Sequence, residues 1–131
     1  MSEDREALAA LARQMTVALD SADVAGFEGL LDPNVRWGAP DDDTPSCQNR
    51  NQVLAWYRRG REAGVRATVT EVVLADDALL VGLRVVGNED AAGQGGEALR
   101  WQVLSVAGGR VVDIRGFDDR VAALQRAGLQ P

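Results

Sequence analysis

The 131-residue chain contains no histidine and no lysine; its 14 basic residues are all arginine, and cysteine occurs once. Those absences remove much of the chemistry that enzymes use. Without imidazole, neither a Ser/His/Asp triad nor a histidine zinc site can be built, and without lysine there is no Schiff-base amine. The lone Cys47 cannot form an internal disulfide, and Glu3 and Asp4 stand where a secretion signal would be basic and apolar, so a cytoplasmic protein is expected. The longest apolar runs, such as residues 78–83, fall far short of the ~20 residues that span a bilayer, so no membrane span is expected. What remains for chemistry is carboxylates, Tyr57, Cys47 and arginines.

What is present describes one globular domain over residues 1–131. Apolar residues make up 46% and charged residues 26%, a balance that sustains a packed core. The net charge of -6 repels phosphate backbones and anionic lipid, which argues against nucleic-acid and membrane partners. Leu8, Leu11, Met15 and Leu19 recur at three- and four-residue steps and predict a helix over about 2–19. A short helix after Asp23, closed by Pro33, a strand over 35–38 and an aperiodic loop over 39–48 follow. Asn49 with Gln52 resembles a capping box and opens a third helix that Gly64 ends.

From Val65 onward β-branched residues dominate, and four consecutive antiparallel strands are predicted over 65–74, 78–86, 99–107 and 110–117. Asp118 or Asp119 caps a last short helix with Val121 and Leu124, ended by Gly128. Helices first and sheet last is an α+β plan with the helices on one face. Trp101, Val103 and Phe117 would then lie exposed on the other face, which suggests a homodimer through the sheet. The turn after Ala107 leaves two registers: a two-residue Gly108-Gly109 loop sets Gln102 against Arg115, and a three-residue loop with a Gly109 bulge sets it against Gly116. The bulged form is preferred because it aligns Leu104 with Ile114 and Val106 with Val112 as one apolar face.

The order of elements, with Ala18, Leu19, Asp20, Asp23, Gly26, Leu30, Val35 and Pro40, resembles the nuclear transport factor two-like superfamily. Val53-Leu54-Ala55-Trp56-Tyr57 and the hairpin from Gly109-Arg110-Val111 to Arg115-Gly116-Phe117 are similar to its SnoaL-like members, related to polyketide cyclases and ketosteroid isomerase. The resemblance implies a cystatin-like cone, a curved antiparallel sheet wrapped around N-terminal helices, with a pocket between them. Isomerase-type members hold a tyrosine, an aspartate base and an aspartic acid where this chain has Met15, Ala39 and Gln102. A methyl group cannot accept a proton, whereas the Gln102 amide can still donate to a ligand oxygen. The aspartate of epoxide-hydrolase members falls on Gly116, and the earlier strand Leu79-Leu80-Val81-Gly82 lacks their carboxylates.

The expected ligand pocket comprises Met15, Trp37, Trp56, Tyr57, Gln102, Leu104, Ile114 and Gly116, with Asp118, Gln102 and Arg100 as the candidates for any catalysis. Against each stands a plainer role. Met15, Trp37 and Trp56 serve equally as core, Arg100 and Asp118 as a rim ion pair, and Tyr57 as a structural hydroxyl. Glu71 is expected across the dimer seam, paired with an arginine. Asp41, Asp42 and Asp43 read as a solvated lid and Cys47 as a small buried hydrophobe; Arg58, Arg59, Arg61 and Arg66 read as a solvated helix face. No metal and no cofactor is called for. Three functions follow: binding of a small apolar molecule, placed first; a cyclase, isomerase or lyase acting on a polyketide- or steroid-like substrate; and a protein-interaction module using the sheet face.

Overall fold

The computed structural model describes residues 2–21, 23–41, 46–87 and 96–129; Asp42 and Asp43 of the acidic triplet lie outside them. Helix α1 (Ser2–Asp20) buries Leu8, Leu11, Ala12, Met15, Ala18 and Leu19 along one stripe. Asp23 caps α2 (Val24–Leu30), its carboxylate accepting the Gly26 amide at 3.0 Å. Leu31 is already extended, so β1 (Leu31–Gly38) follows without a loop. Pro33, expected to close the helical segment, lies inside β1 instead. This strand is at the sheet edge, and its pairing is irregular between Leu31 and Arg36, where a missing amide is tolerated.

Helix α3 (Arg50–Glu62) starts at Asn49, whose Oδ1 accepts the Gln52 amide at 2.9 Å. The return bond lands one residue further upstream than in the standard box: the Gln48 amide donates to Gln52 Oε1 at 2.6 Å. Gly64, at a φ of 97°, ends the helix, and the chain after β3 passes so close that any side chain at Gly87 would collide with the Gly64 carbonyl.

Strands β2 (Arg66–Leu74), β3 (Ala78–Val86), β4 (Glu97–Ala107) and β5 (Arg110–Phe117) pair antiparallel in sequence, and β1 adds parallel to β5, giving the order β1-β5-β4-β3-β2. Gln102 pairs with Gly116 and Leu104 with Ile114, the register that the apolar matching favours. The device differs from the expected one. Gly108 and Gly109, with φ of 60° and 78°, form a two-residue turn between Ala107 and Arg110, and the extra residue is Val112 inside β5, so Val106 faces Val111.

Pairing alternation assigns the two sheet faces. Leu79, Val81, Leu83, Leu104, Val111 and Ile114 join α1, α2 and α3 in the main core. A second bulge, at Thr70 between Val69 and Glu71, turns Glu71 to the outer face. There it accepts from Arg120 Nε at 2.8 Å, so its arginine comes from its own chain and not from across a dimer seam.

The outer face is not bare. Helix α4 (Arg120–Arg126), capped by Asp119 and closed by Gly128 with the Leu129 amide bonded to the Leu124 carbonyl at 2.8 Å, packs Ala123 and Leu124 onto it. Val103 and Phe117 are therefore buried and Trp101 is half-buried, where exposure was expected. An apolar side on a short terminal helix needs cover, and the nearest apolar surface is the sheet's own back. The uncovered part lies toward Leu99, which is 50% exposed.

Candidate functional site

The site lies at one end of the sheet, where the C-terminal ends of β1, β3 and β5 meet the N-terminal ends of β2 and β4. Hydrophobic residues and alanine line the inner face, with Gly116 leaving a gap near the end. Among the described residues its polar side chains are Arg100 and Gln102, two apart on β4 and therefore on one face. Gln102 is flanked by Val81 on β3 and Gly116 on β5. A Cβ built on Gly116 would meet only Arg100 Nη2, at 3.8 Å, so the guanidinium hangs over a spot that no side chain fills. Deeper along the same strands, Leu104, Ile114 and, from α1, Met15 are each 1% exposed and packed into the core.

Aromatic rings stand on β1 and α3. Trp37 on β1 meets Trp56 on α3 with ring centroids 4.7 Å apart, tilted by 57°, and Trp56 remains 49% exposed. Trp37 is anchored by two backbone hydrogen bonds with Cys47, each 3.0 Å. Tyr57 packs on Phe27 at 5.1 Å. Burial pushes the Tyr57 hydroxyl pKa up, against the pull of Arg61 and Arg66, and burial also raises that of the Cys47 thiol, against the pull of Arg59. Neither group is prepared for proton or nucleophile chemistry at neutrality. Asp118 is exposed just past the end of β5.

Ala39 follows β1 directly, with its carbonyl tied outward. Arg115, only 7% exposed, donates from Nη1 to the Ala39 carbonyl at 2.9 Å while its Nε and Nη2 grip both oxygens of Asp113 at 3.0 and 3.1 Å. Arg126 of α4 donates to the Pro40 carbonyl at 3.1 Å. Two arginines thus fasten the segment that follows β1, a device the sequence reading missed. Its signal was the i, i+2 spacing of Asp113 and Arg115, which puts opposite charges on one side of a strand. Also missed was an open groove of about 390 Å³ between α1 and α2, lined by Arg13, Val17, Ala18 and Leu30 among others. No three His, Cys, Asp or Glu side chains gather as a metal site among the described residues, and no helix among them is long and apolar enough to cross a membrane.

A five-stranded mixed sheet with helices inside its curve defines an α+β cone of the cystatin-like, ketosteroid-isomerase-like class. The chain belongs to the SnoaL-like domain family, whose model matches residues 12–114. Among solved structures it is similar to Bal32a from a soil-derived mobile gene cassette, at 23% identity over 94% of this chain and 97% of that one, with a TM-score of 0.70. A protein of ketosteroid isomerase-like fold from Catenulispora acidiphila DSM 44928, in complex with trimethylamine, matches at 14% identity over 91% and 92%, TM-score 0.62. An epoxide hydrolase from M. tuberculosis, of the LEH-like type, matches at 14% identity over 94% and 89%, TM-score 0.63. At such identities the likeness is one of fold. No curated protein matches the sequence.

Proposed function

We propose that this chain binds a small apolar molecule in the cone, without the acid–base chemistry of isomerase-type relatives. The observation that carries this reading is the make-up of the inner sheet face: among the described residues it presents Arg100, Gln102 and hydrophobic or small side chains, and no carboxylate. Proton abstraction needs a base within hydrogen-bond reach of the substrate. Ala39, where isomerase-type members hold that base, offers none. Trp37, Trp56 and Tyr57 supply flat apolar surface, and Gly116 supplies room.

The test is displacement of the fluorescent probe anilinonaphthalene sulfonate by a panel of neutral two- to four-ring compounds. The reading expects at least one saturable competitor on the native protein and its loss in Gly116→Trp, which fills the gap. A panel without competitors, or equal competition in Gly116→Trp, would sink it.

A second reading, a cyclase, isomerase or lyase, draws on the likeness to the epoxide hydrolase and assigns catalysis to Asp118 with Arg100 and Gln102 polarising a carbonyl. It expects turnover that Asp118→Asn abolishes. The binding reading includes a cytoplasmic location, in keeping with the free, buried Cys47, and a homodimer seated on the uncovered part of the outer face around Leu99 and Val86. Sedimentation of Leu99→Glu as a monomer, against a dimeric parent, is the expected outcome there.

A further inference from the structure

Charge is unevenly spread along the chain. The net charge is -6, yet residues 50–66 hold five of the 14 arginines, Arg50, Arg58, Arg59, Arg61 and Arg66, against one carboxylate, Glu62. Among the described residues none of the five is in an ion pair, whereas Arg84, Arg115 and Arg120 each hold a carboxylate. Arg66 is fixed in place: its Nη1 donates to the Arg61 and Val65 carbonyls at 2.9 and 2.8 Å, which pins a guanidinium at the C-terminal end of α3, where a cation suits the helix dipole. Arg58 and Arg59 stand exposed with Ala55, Trp56 and Glu62, on the side of α3 turned away from the buried Val53 and Leu54. Trp56, 49% exposed, is the one exposed aromatic ring among the described residues, and Arg59 follows it by three positions, one turn along the same side. The charge of Arg59 is felt at the Cys47 thiol, and those of Arg61 and Arg66 at the Tyr57 hydroxyl, so the guanidinia act as one positive field around α3.

We infer that the outer side of α3 docks an acidic segment of a partner protein, whose carboxylates are received by Arg58, Arg59 and Arg66 while one apolar side chain lies on Trp56. Tryptophan and arginine are the residue types that dominate interface centres. A guanidinium takes a carboxylate in a two-point fork, but a single exposed pair contributes little, so the complement must present several carboxylates together with apolar cover for the ring. Helix α3 has 13 residues and is about 20 Å long, which suits a short segment. Nucleic acid is the poorer complement. It carries a charge every ~1.7 Å, and beyond α3 it would meet a chain whose remaining charge is strongly negative. Glu62, three positions from Arg59 and four from Arg58, lies between them on the helix surface, where spaced carboxylates can pass it and a dense run of phosphates cannot.

The experiment follows fluorescence anisotropy of a labelled peptide of alternating glutamate and glycine around a central leucine, at neutral pH and low salt. It is run on the native chain, on Arg58→Gln/Arg59→Gln, and on Arg13→Gln/Arg110→Gln, which removes the same charge from exposed arginines on other elements. The native chain is expected to bind the peptide at least tenfold more tightly than its glutamine counterpart. Arg58→Gln/Arg59→Gln should lose at least tenfold and Arg13→Gln/Arg110→Gln less than twofold. Glycine in place of the peptide's leucine should weaken binding severalfold, a difference that Trp56→Ala should erase. No binding, equal binding of the glutamine counterpart, or equal loss in the two double variants overturns the inference. Tighter binding of single-stranded oligothymidylate through Arg58 and Arg59 assigns the face to nucleic acid and overturns it too. So does a native assembly that Arg58→Gln/Arg59→Gln alone dissociates, which assigns the face to a second copy. The inference goes beyond the ligand-in-cone reading and does not rest on it, so each of these outcomes leaves that reading standing.

Discussion

Gln102 stands directly across the β4–β5 ladder from Gly116, where an added Cβ would meet only Arg100 Nη2, at 3.8 Å, among the described residues. Gly82, one pair along on the opposite face, is the reverse case: a Cβ there would lie 2.8 Å from Thr70 Oγ1 and 2.9 Å from Glu71 Cγ. The two glycines should separate cleanly. Gly116→Ala adds a methyl into open space and removes backbone freedom, so it should raise unfolding stability by roughly 0.5 kcal/mol. Gly82→Ala forces the Thr70 bulge apart and should cost about 1–3 kcal/mol. Urea unfolding of both variants checks the pair; equal effects would contradict the assignment of faces.

Arg115 should be the costliest single polar loss. Replacing it by methionine removes two charged hydrogen bonds to Asp113 and one to the Ala39 carbonyl. Leaving the part-buried Asp113 carboxylate without these bonds costs about 1–3 kcal/mol. Denaturant midpoints measure this, and a loss under about 1 kcal/mol would show that water replaces the arginine.

Glu71 links α4 to pH. Its pKa is lowered, first by the Arg120 hydrogen bond and further by Arg120's charge and a Trp101 hydrogen bond, against the opposing effect of burial. The unfolded value, near 4.5, therefore lies above the folded one. Its contribution is fully present above the unfolded value and is lost as pH falls through the folded value. Thermal melting from pH 6 down to pH 3 should show that acid-side decline reduced in Arg120→Gln. An unchanged decline would place the pH dependence in other carboxylates.

Cys47 should be slow to alkylate. The thiol is 5% exposed and its pKa is raised by burial, so iodoacetamide at pH 8 should modify the folded chain far more slowly than the urea-unfolded chain. Comparable rates, followed by mass spectrometry, would contradict the buried placement beside Trp37.

Apolar matching of Leu104 with Ile114 made the register of the last hairpin legible, because a one-residue slip would turn every later side chain to the wrong face. It could not say where the extra residue is absorbed, since a bulge at Gly109 and one at Val112 preserve the same pairs beyond them. The last helix was legible from Asp119, Val121 and Leu124, but amphipathic spacing reports that a helix has an apolar side and not which surface it covers. The outer face was therefore read as bare. For the candidate site, alternation put Arg100 and Gln102 on one face of β4. The guanidinium's place over Gly116, and the clamp from Arg115 and Arg126 onto Ala39 and Pro40, arise from contacts between residues distant in sequence. Local pattern carries no such information.

The most direct measurement is a titration of ¹⁵N-labelled protein with 2-naphthoate, followed by amide and indole correlation spectra. Occupation of the cone predicts the largest shifts at Gly116, the Gln102 side-chain amide and the Trp37 indole, with Leu99 and Val17 unmoved. Shifts concentrated at Val17 and Leu30 in the α1–α2 groove, or at Leu99 on the outer face, would contradict a ligand site inside the cone.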